Sequence, residues 1–262
     1  MWIREAFKLE AKKIISYRVD FWMQFVVTAL AEMIMAYYLW KNVFSPNSNE
    51  TIGGYDFRKM IMYYLFVPFI TRIVQSQNDW STSREIYDGS LTRYLIYPIS
   101  FTGYKFLQKS TFSLLSCVQM LLALAAIQIF VPLHLDLVHV FWGMIAALLG
   151  FVVYFYMNCM MELFAFWVDT VWSLGVMLRF IALFFGGAMV PLSLFPEKFQ
   201  TVLKFTPFPY LFSQPIRIIL GDVSYPDMLQ SFGVCLVWLV PLMLLLNLQL
   251  TKGLKQYTGV GL

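Results

Sequence analysis

DWSTSREIYDGSLTRYLIYPISFTGYKFLQK, residues 79–109, is the longest polar stretch in an otherwise apolar chain, and it lies between two hydrophobic runs. Arg84, Arg93, Lys105 and Lys109 make it basic, and Gly89 and Pro98 punctuate it. Its surroundings decide the fold class. The 262 residues are 60% hydrophobic, 18% aromatic and 13% charged, whereas soluble domains average about 45–50% apolar and about 25% charged. One soluble core cannot bury that excess, so lipid must solvate it. At about 20 apolar residues per spanning helix, the length holds six transmembrane helices and their loops. The expected fold is all-α integral membrane, one transmembrane domain over 1–262.

Upstream of the polar stretch, residues 1–18 read as an amphipathic interface helix. On a 100° wheel Ile3, Phe7, Ala11 and Ile14 share one face, Arg4, Glu5, Lys8 and Lys12 share another, and Trp2 sits at the edge. Such a helix lies in the membrane surface; the alternative is the charged flank of a signal anchor. Lys8, Glu10, Lys12 and Lys13 interrupt the apolar run that a cleaved signal peptide needs. Spans one and two are expected at 21–43 and 57–75, joined by a Pro-, Asn- and Gly-rich loop. Pro68 breaks a backbone hydrogen bond in span two, which a neighbouring helix or a local kink must relieve.

Downstream, spans are expected at 111–131, 139–166, 171–194 and 229–250. Between the last two, residues 195–227 carry Pro196, Pro207, Pro209, Pro215 and Pro226. The helix-like pieces 197–205 and 211–220 are too short to cross a bilayer and fit a re-entrant or interfacial hairpin. Six spans place both termini and the 79–109 loop on one side, which then collects thirteen of the nineteen basic residues. By the positive-inside rule that side is cytoplasmic and the Pro-rich hairpin faces out, in a multi-pass cytoplasmic (inner) membrane protein. A net charge of +4, distributed in this way, does not imply nucleic acid.

Reactive chemistry is sparse in the sequence. Cys117, Cys159 and Cys235 lie in apolar runs without CxxC spacing, so no disulfide framework or metal site is indicated. His134, Asp136 and His139 form an H-x-D-x-x-H string that either binds a metal or is a solvated turn; the second is expected, with no metal. No phosphate-binding G-x-x-x-x-G-K-[ST] loop is present, so the chain does not hydrolyse nucleotide by itself. Charges at membrane depth tend to face the bundle interior. Glu162 and Arg179, near the inner ends of spans four and five, either pair structurally or mark, with Glu32, a substrate path. Phe184 and Phe185 either line that path or simply pack.

An amphipathic helix, two spans, a basic inner loop, three further spans, an outer Pro-rich hairpin and a last span form an order that resembles the membrane subunit of ABC-2 type (type V) ABC transporters of bacteria. IYDGSLTRYLIYPIS (86–100) looks like that family's Gly-Leu…Leu-x-Pro loop, 195–221 is similar to its outer hairpin, and the closing KGLKQYTGVGL resembles the tail of one subgroup. The resemblance implies an exporter of a hydrophobic, amphipathic or lipid-linked cargo. It implies two permease subunits, identical or related, and two cytoplasmic ABC ATPases that carry the ATP and Mg, with no cofactor on this chain.

The coupling helix would then be about Ser83 to Tyr97. Gly89 would allow a turn, Leu91, Tyr94 and Leu95 would fill a groove on the ATPase, Arg84, Glu85 and Arg93 would form the rim, and Pro98 would end the motif. The N-terminal helix with Trp2, Arg4, Phe7, Lys8 and Lys12 would brace the junction. The hairpin prolines Pro196, Pro207, Pro209 and Pro215 would belong to an outer gate. The alternatives are an ion-coupled transporter or channel without an ATPase, and an intramembrane enzyme. For the loop itself, the alternative is a basic surface resting on lipid headgroups.

Overall fold

The computed structural model describes residues 2–44, 51–76, 80–96, 100–133 and 135–258. Among these, helices carry the architecture, and the one extended pairing is the bridge between Ile52 and Tyr55. The order is α1 (Trp2–Ser16), α2 (Arg18–Val43), α3 (Phe57–Gln75), α4 (Ser81–Tyr87), α5 (Thr92–Ile96), α6 (Phe101–Phe130), α7 (Leu137–Leu163), α8 (Trp172–Phe185), α9 (Glu197–Leu203), α10 (Ser213–Ile219) and α11 (Tyr225–Gln256).

Helix α3 is the buried centre, packed by α2, α6, α7 and α10. Met60, Tyr63, Phe66, Ile70 and Ile73 are inaccessible along its length. Asp56 caps its start by accepting from the Lys59 amide at 2.7 Å. Arg72, near the other end, makes no close ion pair among the described residues. Its guanidinium donates to the Phe21 carbonyl at 2.8 Å and lies 4.5 Å and 5.0 Å from the Phe21 and Phe112 rings. A carbonyl and two ring faces thus take the place of water around the guanidinium.

Among the described residues, four helices are long and apolar enough to cross a membrane: α2, α6, α7 with its terminal 3-10 turn, and α11. α3 carries Arg58, Lys59 and Arg72. The expected fifth span, 171–194, is interrupted. α8 ends at Phe185, and Gly186 and Gly187, the latter at φ +85°, turn the chain aside. At 1.5 Å per residue its 14 residues cover about 21 Å, short of a hydrocarbon core of about 30 Å. Span three is longer than expected. Ser100 caps α6 by accepting from the Gly103 amide at 3.3 Å, so the second half of the polar loop is the helical root of that span.

Packing between helices in lipid cannot draw on expelled water, so close van der Waals approach carries it. Gly143 and Gly150 let α10 and the turn before it settle on α7; a β-carbon on Gly143 would strike Ile219, and one on Gly150 would press the Tyr210 carbonyl. Tyr63 and Tyr64 donate to the carbonyls of Gly187 and Met189, both at 2.8 Å, and pin the turn after α8 to α3. The outer surfaces of α2 and α11 present Val27, Leu30, Ile34, Val237, Val240 and Leu244 to the surroundings.

Candidate functional site

Residues 80–96 form a compact unit between α3 and α6. Local chemistry sets its shape. α4 stops at Asp88, whose carboxylate accepts from the Ser90 amide at 2.9 Å, and Gly89 takes φ +76°, a left-handed conformation open to glycine at little cost. The Leu91 amide then reaches back to the Glu85 carbonyl at 2.9 Å, which folds α5 against α4. The Ser90 hydroxyl, followed by its amide, holds the Asp88 carboxyl below the usual carboxylate range.

Two carboxylates anchor the unit. Glu162 of α7, fully buried, accepts from the Thr82 amide at the start of α4 at 2.9 Å and from Asn158 Nδ2 at 2.6 Å, and lies 3.3 Å from Lys109 Nζ of α6. Glu85 of α4 meets Arg93 at 2.7 Å, the Tyr94 hydroxyl at 3.2 Å and Lys105 of α6 at 2.8 Å. Lys105 is itself buried and also donates to Ser81 Oγ at 3.1 Å. Burial, reinforced by the Glu85 charge, pushes the Tyr94 hydroxyl well above its ordinary pKa.

Three further contacts reach other parts of the bundle. The Trp80 ring packs on α8 where Gly175 leaves room that any β-carbon would occupy. Tyr87 donates to the Val168 carbonyl at 3.0 Å. From the far end of the chain, Tyr257 donates to the Gly89 carbonyl at 2.6 Å and lies 3.2 Å from the Thr92 hydroxyl. Gly253 gives the Phe166 ring room beside α11, and Phe166 meets Tyr257 edge-on at 6.1 Å.

The expected assignment of Leu91 to a partner's groove is corrected. Leu91 is 1% exposed and packs with Ile86, Phe155, Leu163 and Leu246 of its own chain, because the Gly89 turn directs it inward. Tyr94 is half-buried against Phe101 and Tyr104, and Glu85 serves as an internal brace rather than a rim. Arg84, Asp88 and Arg93 are exposed, and Ile96 is 74% exposed. The side chain of Leu95 and the whole of Pro98 lie outside the described residues.

α1 runs along the first part of α6. Phe7, Ala11 and Ile14 turn inward while Arg4, Lys8 and Lys12 stay exposed; the Trp2 side chain is outside the described residues. Ile3, expected on the apolar face, is exposed, and Glu10 is buried instead. Phe7, Glu10 and Ile14 are spaced for one face, a signal that Glu10's charge obscured.

The anticipated Glu162–Arg179 pair is also corrected, since Glu162 meets Lys109 and no ion pair among the described residues joins it to Arg179. Arg179 instead shares with Glu32 and Arg72 a groove of about 170 Å³ between α2, α3 and α8. Phe184 stacks on Phe180 at 6.2 Å and meets Phe195 edge-on at 5.3 Å, and Phe185 meets Phe208 at 6.2 Å, so both rings tie α8 to the hairpin.

Of the hairpin prolines, Pro207, Pro209 and Pro215 are buried and Pro196 is exposed at the cap of α9. α10 is seated firmly on α7, and α9 is the exposed element. His139 Nδ1 lies 3.2 Å from Asp136 at the start of α7, and His134 is outside the described residues.

A family model described as ABC-2 family transporter protein matches residues 30–261. No curated protein and no solved structure matches the chain.

Proposed function

The chain belongs to the ABC-2 family of transporter proteins, and on that premise we propose that it is the permease subunit of an ATP-driven exporter whose ATPase docks on residues 80–96. It is a multi-pass membrane permease, of a family whose members work with an ABC ATPase. The finer assignments are that two permease subunits, identical or related, pair with two cytoplasmic ATPases, that α3, and α8 together with the segment that follows it, complete a set of six crossings, and that both termini lie in the cytoplasm. ATP and Mg belong to the partner, because this chain carries no phosphate-binding loop.

The observation that carries the reading is the joining of the 80–96 unit, through side chains, to α6, α7, α8 and α11 at once. A push on it moves those spans together as a body, the kind of rigid rocking by which a distant nucleotide event opens a path. Arg84, Asp88, Arg93 and Ile96 form the outward face available to a partner. A short helix with an apolar residue in a charged frame suits a protein groove. The cargo class proposed is hydrophobic, amphipathic or lipid-linked, supported by the aromatic run Phe180, Phe184 and Phe185 and by the Glu32–Arg179 groove open to the bundle surface.

Tagged full-length chain is purified from native membranes and its companions identified by mass spectrometry, alongside the Arg84→Glu/Ile96→Asp variant. The expected result is a companion bearing a phosphate-binding loop, recovered with the wild type and lost with the variant, while insertion and melting are unchanged. Full recovery with the variant overturns the docking assignment. Cargo movement under an ion gradient with ATP depleted overturns the ATP-driven reading.

A further inference from the structure

At the end of the bundle opposite the docking unit, a cavity of about 320 Å³ opens between residues 53–59, the turn after α8 and the α9–α10 hairpin. Its distance from the docking unit follows from α7: His139 lies beside Gly221 of the hairpin and Glu162 beside Thr82, 23 residues or about 35 Å apart along one helix. The volume is within the usual range of small-ligand sites, about 300–1,000 Å³.

The lining is cationic. Lys59, Lys204 and Arg217 face it, with Asp222 as the single acid among its described lining residues. Asp222 is engaged by Lys59 at 3.0 Å, and its backbone carbonyl accepts from Arg217 at 3.4 Å. Lys204 has no ion pair among the described residues, and Arg217 retains further N–H donors. Its described lining therefore carries two positive charges beyond its own compensation. Gln214, also in the lining, has a buried Oε1 without a donor among the described residues, which suits a hydroxyl group. α9 divides its faces at this place: Gln200, Leu203 and Lys204 line the cavity, whereas Phe199 and Val202, with Phe205 just beyond the helix, are exposed. The Phe205 carbonyl is tied to α11 by the Trp238 ring nitrogen at 2.9 Å.

We propose that this cavity binds the phosphate of an anionic, hydroxyl-bearing phospholipid headgroup, with the acyl chains lying along Phe199, Val202 and Phe205. Lys204 and Arg217 take the phosphate oxygens, for which a guanidinium offers paired donors, and Gln214 accepts from the headgroup hydroxyl. The outward placement of the site rests on the orientation proposed above; the binding itself does not.

Binding is measured on the full chain in detergent, without ATPase or nucleotide, so its outcome is independent of the docking result. The probes are dioctanoyl phosphatidylglycerol, dioctanoyl phosphatidylcholine and glycerol 3-phosphate. Phosphatidylglycerol is expected to bind about tenfold tighter than either of the others, and Lys204→Gln/Arg217→Gln to remove about tenfold of that affinity, in keeping with the loss of charge-assisted hydrogen bonds. Lys204→Gln alone, at an exposed residue, is expected to weaken binding without moving the melting temperature. Equal affinity for the two lipids, or an unaltered affinity in the folded single and double variants, overturns the proposal. Glycerol 3-phosphate binding as tightly as phosphatidylglycerol overturns the lipid as occupant.

Discussion

Lys109→Met tests the root of the docking unit. Lys109 has a side chain 5% exposed and lies 3.3 Å from a Glu162 carboxylate with no exposure at all. Removing one member of a buried pair leaves the other charge without its counter-ion, at a cost of about 3–5 kcal/mol. Asn158 and the Thr82 amide still donate to the carboxylate, which places the loss near the lower figure. For a chain of this size each kcal/mol moves the melting temperature by about 2–4 °C, so a fall of about 6–12 °C is expected.

Lys109→Met/Glu162→Gln removes both charges while keeping an acceptor for Thr82, and it should recover most of that fall; the cycle isolates the pairwise part. The Thr82 amide starts α4, so hydrogen exchange over 81–87 should quicken in the single variant and return toward wild type in the double. A single variant that melts with the wild type, or a double variant less stable than the single, refutes the reasoning.

Leu91→Ala should cost about 2–5 kcal/mol of stability by leaving a cavity among Ile86, Phe155 and Leu246; loss of ATPase from an equally stable protein would contradict the inward placement. Gly175→Ala forces the Trp80 ring from its seat, about 1–3 kcal/mol in melting, with ATP-driven transport falling further than ATPase recovery. Tyr257→Phe removes the donor to the Gly89 carbonyl, about 1 kcal/mol, and should leave the ATPase bound while uptake into inverted vesicles drops; unchanged uptake would remove the tether from the mechanism. Because Asp88 has a depressed folded pKa, its stabilisation is present above the ordinary carboxylate value and fades as pH falls through the folded one. Melting curves of wild type and Asp88→Asn should therefore differ near neutrality and converge as pH falls below the ordinary carboxylate range; a gap persisting in acid would contradict the assignment.

Much of the architecture was legible because it follows from length and hydropathy. α3 covers 57–75 as expected, and α9 and α10 fall within the two short pieces of the hairpin. The fifth span was overextended because Gly186 and Gly187 read as small residues in an apolar run, and only the left-handed φ at Gly187 makes them a turn. In the candidate site, residue types were legible and their directions were not. Leu91 has the spacing of a groove-filling residue, but the Gly89 turn faces it toward α7 and α11. Sequence order pairs Arg179 with Glu162 because their spans are consecutive, yet α6 also packs beside α7 and presents Lys109. The Tyr257 contact joins residues 168 apart, a pairing that no local pattern encodes.

The most direct test of the docking claim is photocrosslinking from three positions of residues 80–96 in native membranes. Photoreactive residues are placed singly at 84, 91 and 96, irradiated, and the adducts identified by mass. The expected result is an adduct with a nucleotide-hydrolysing partner from 84 and 96, whose side chains are exposed, and with this chain alone from 91, which is buried. Absence of a partner adduct at 84 and 96, or an equal partner yield from 91, would contradict it.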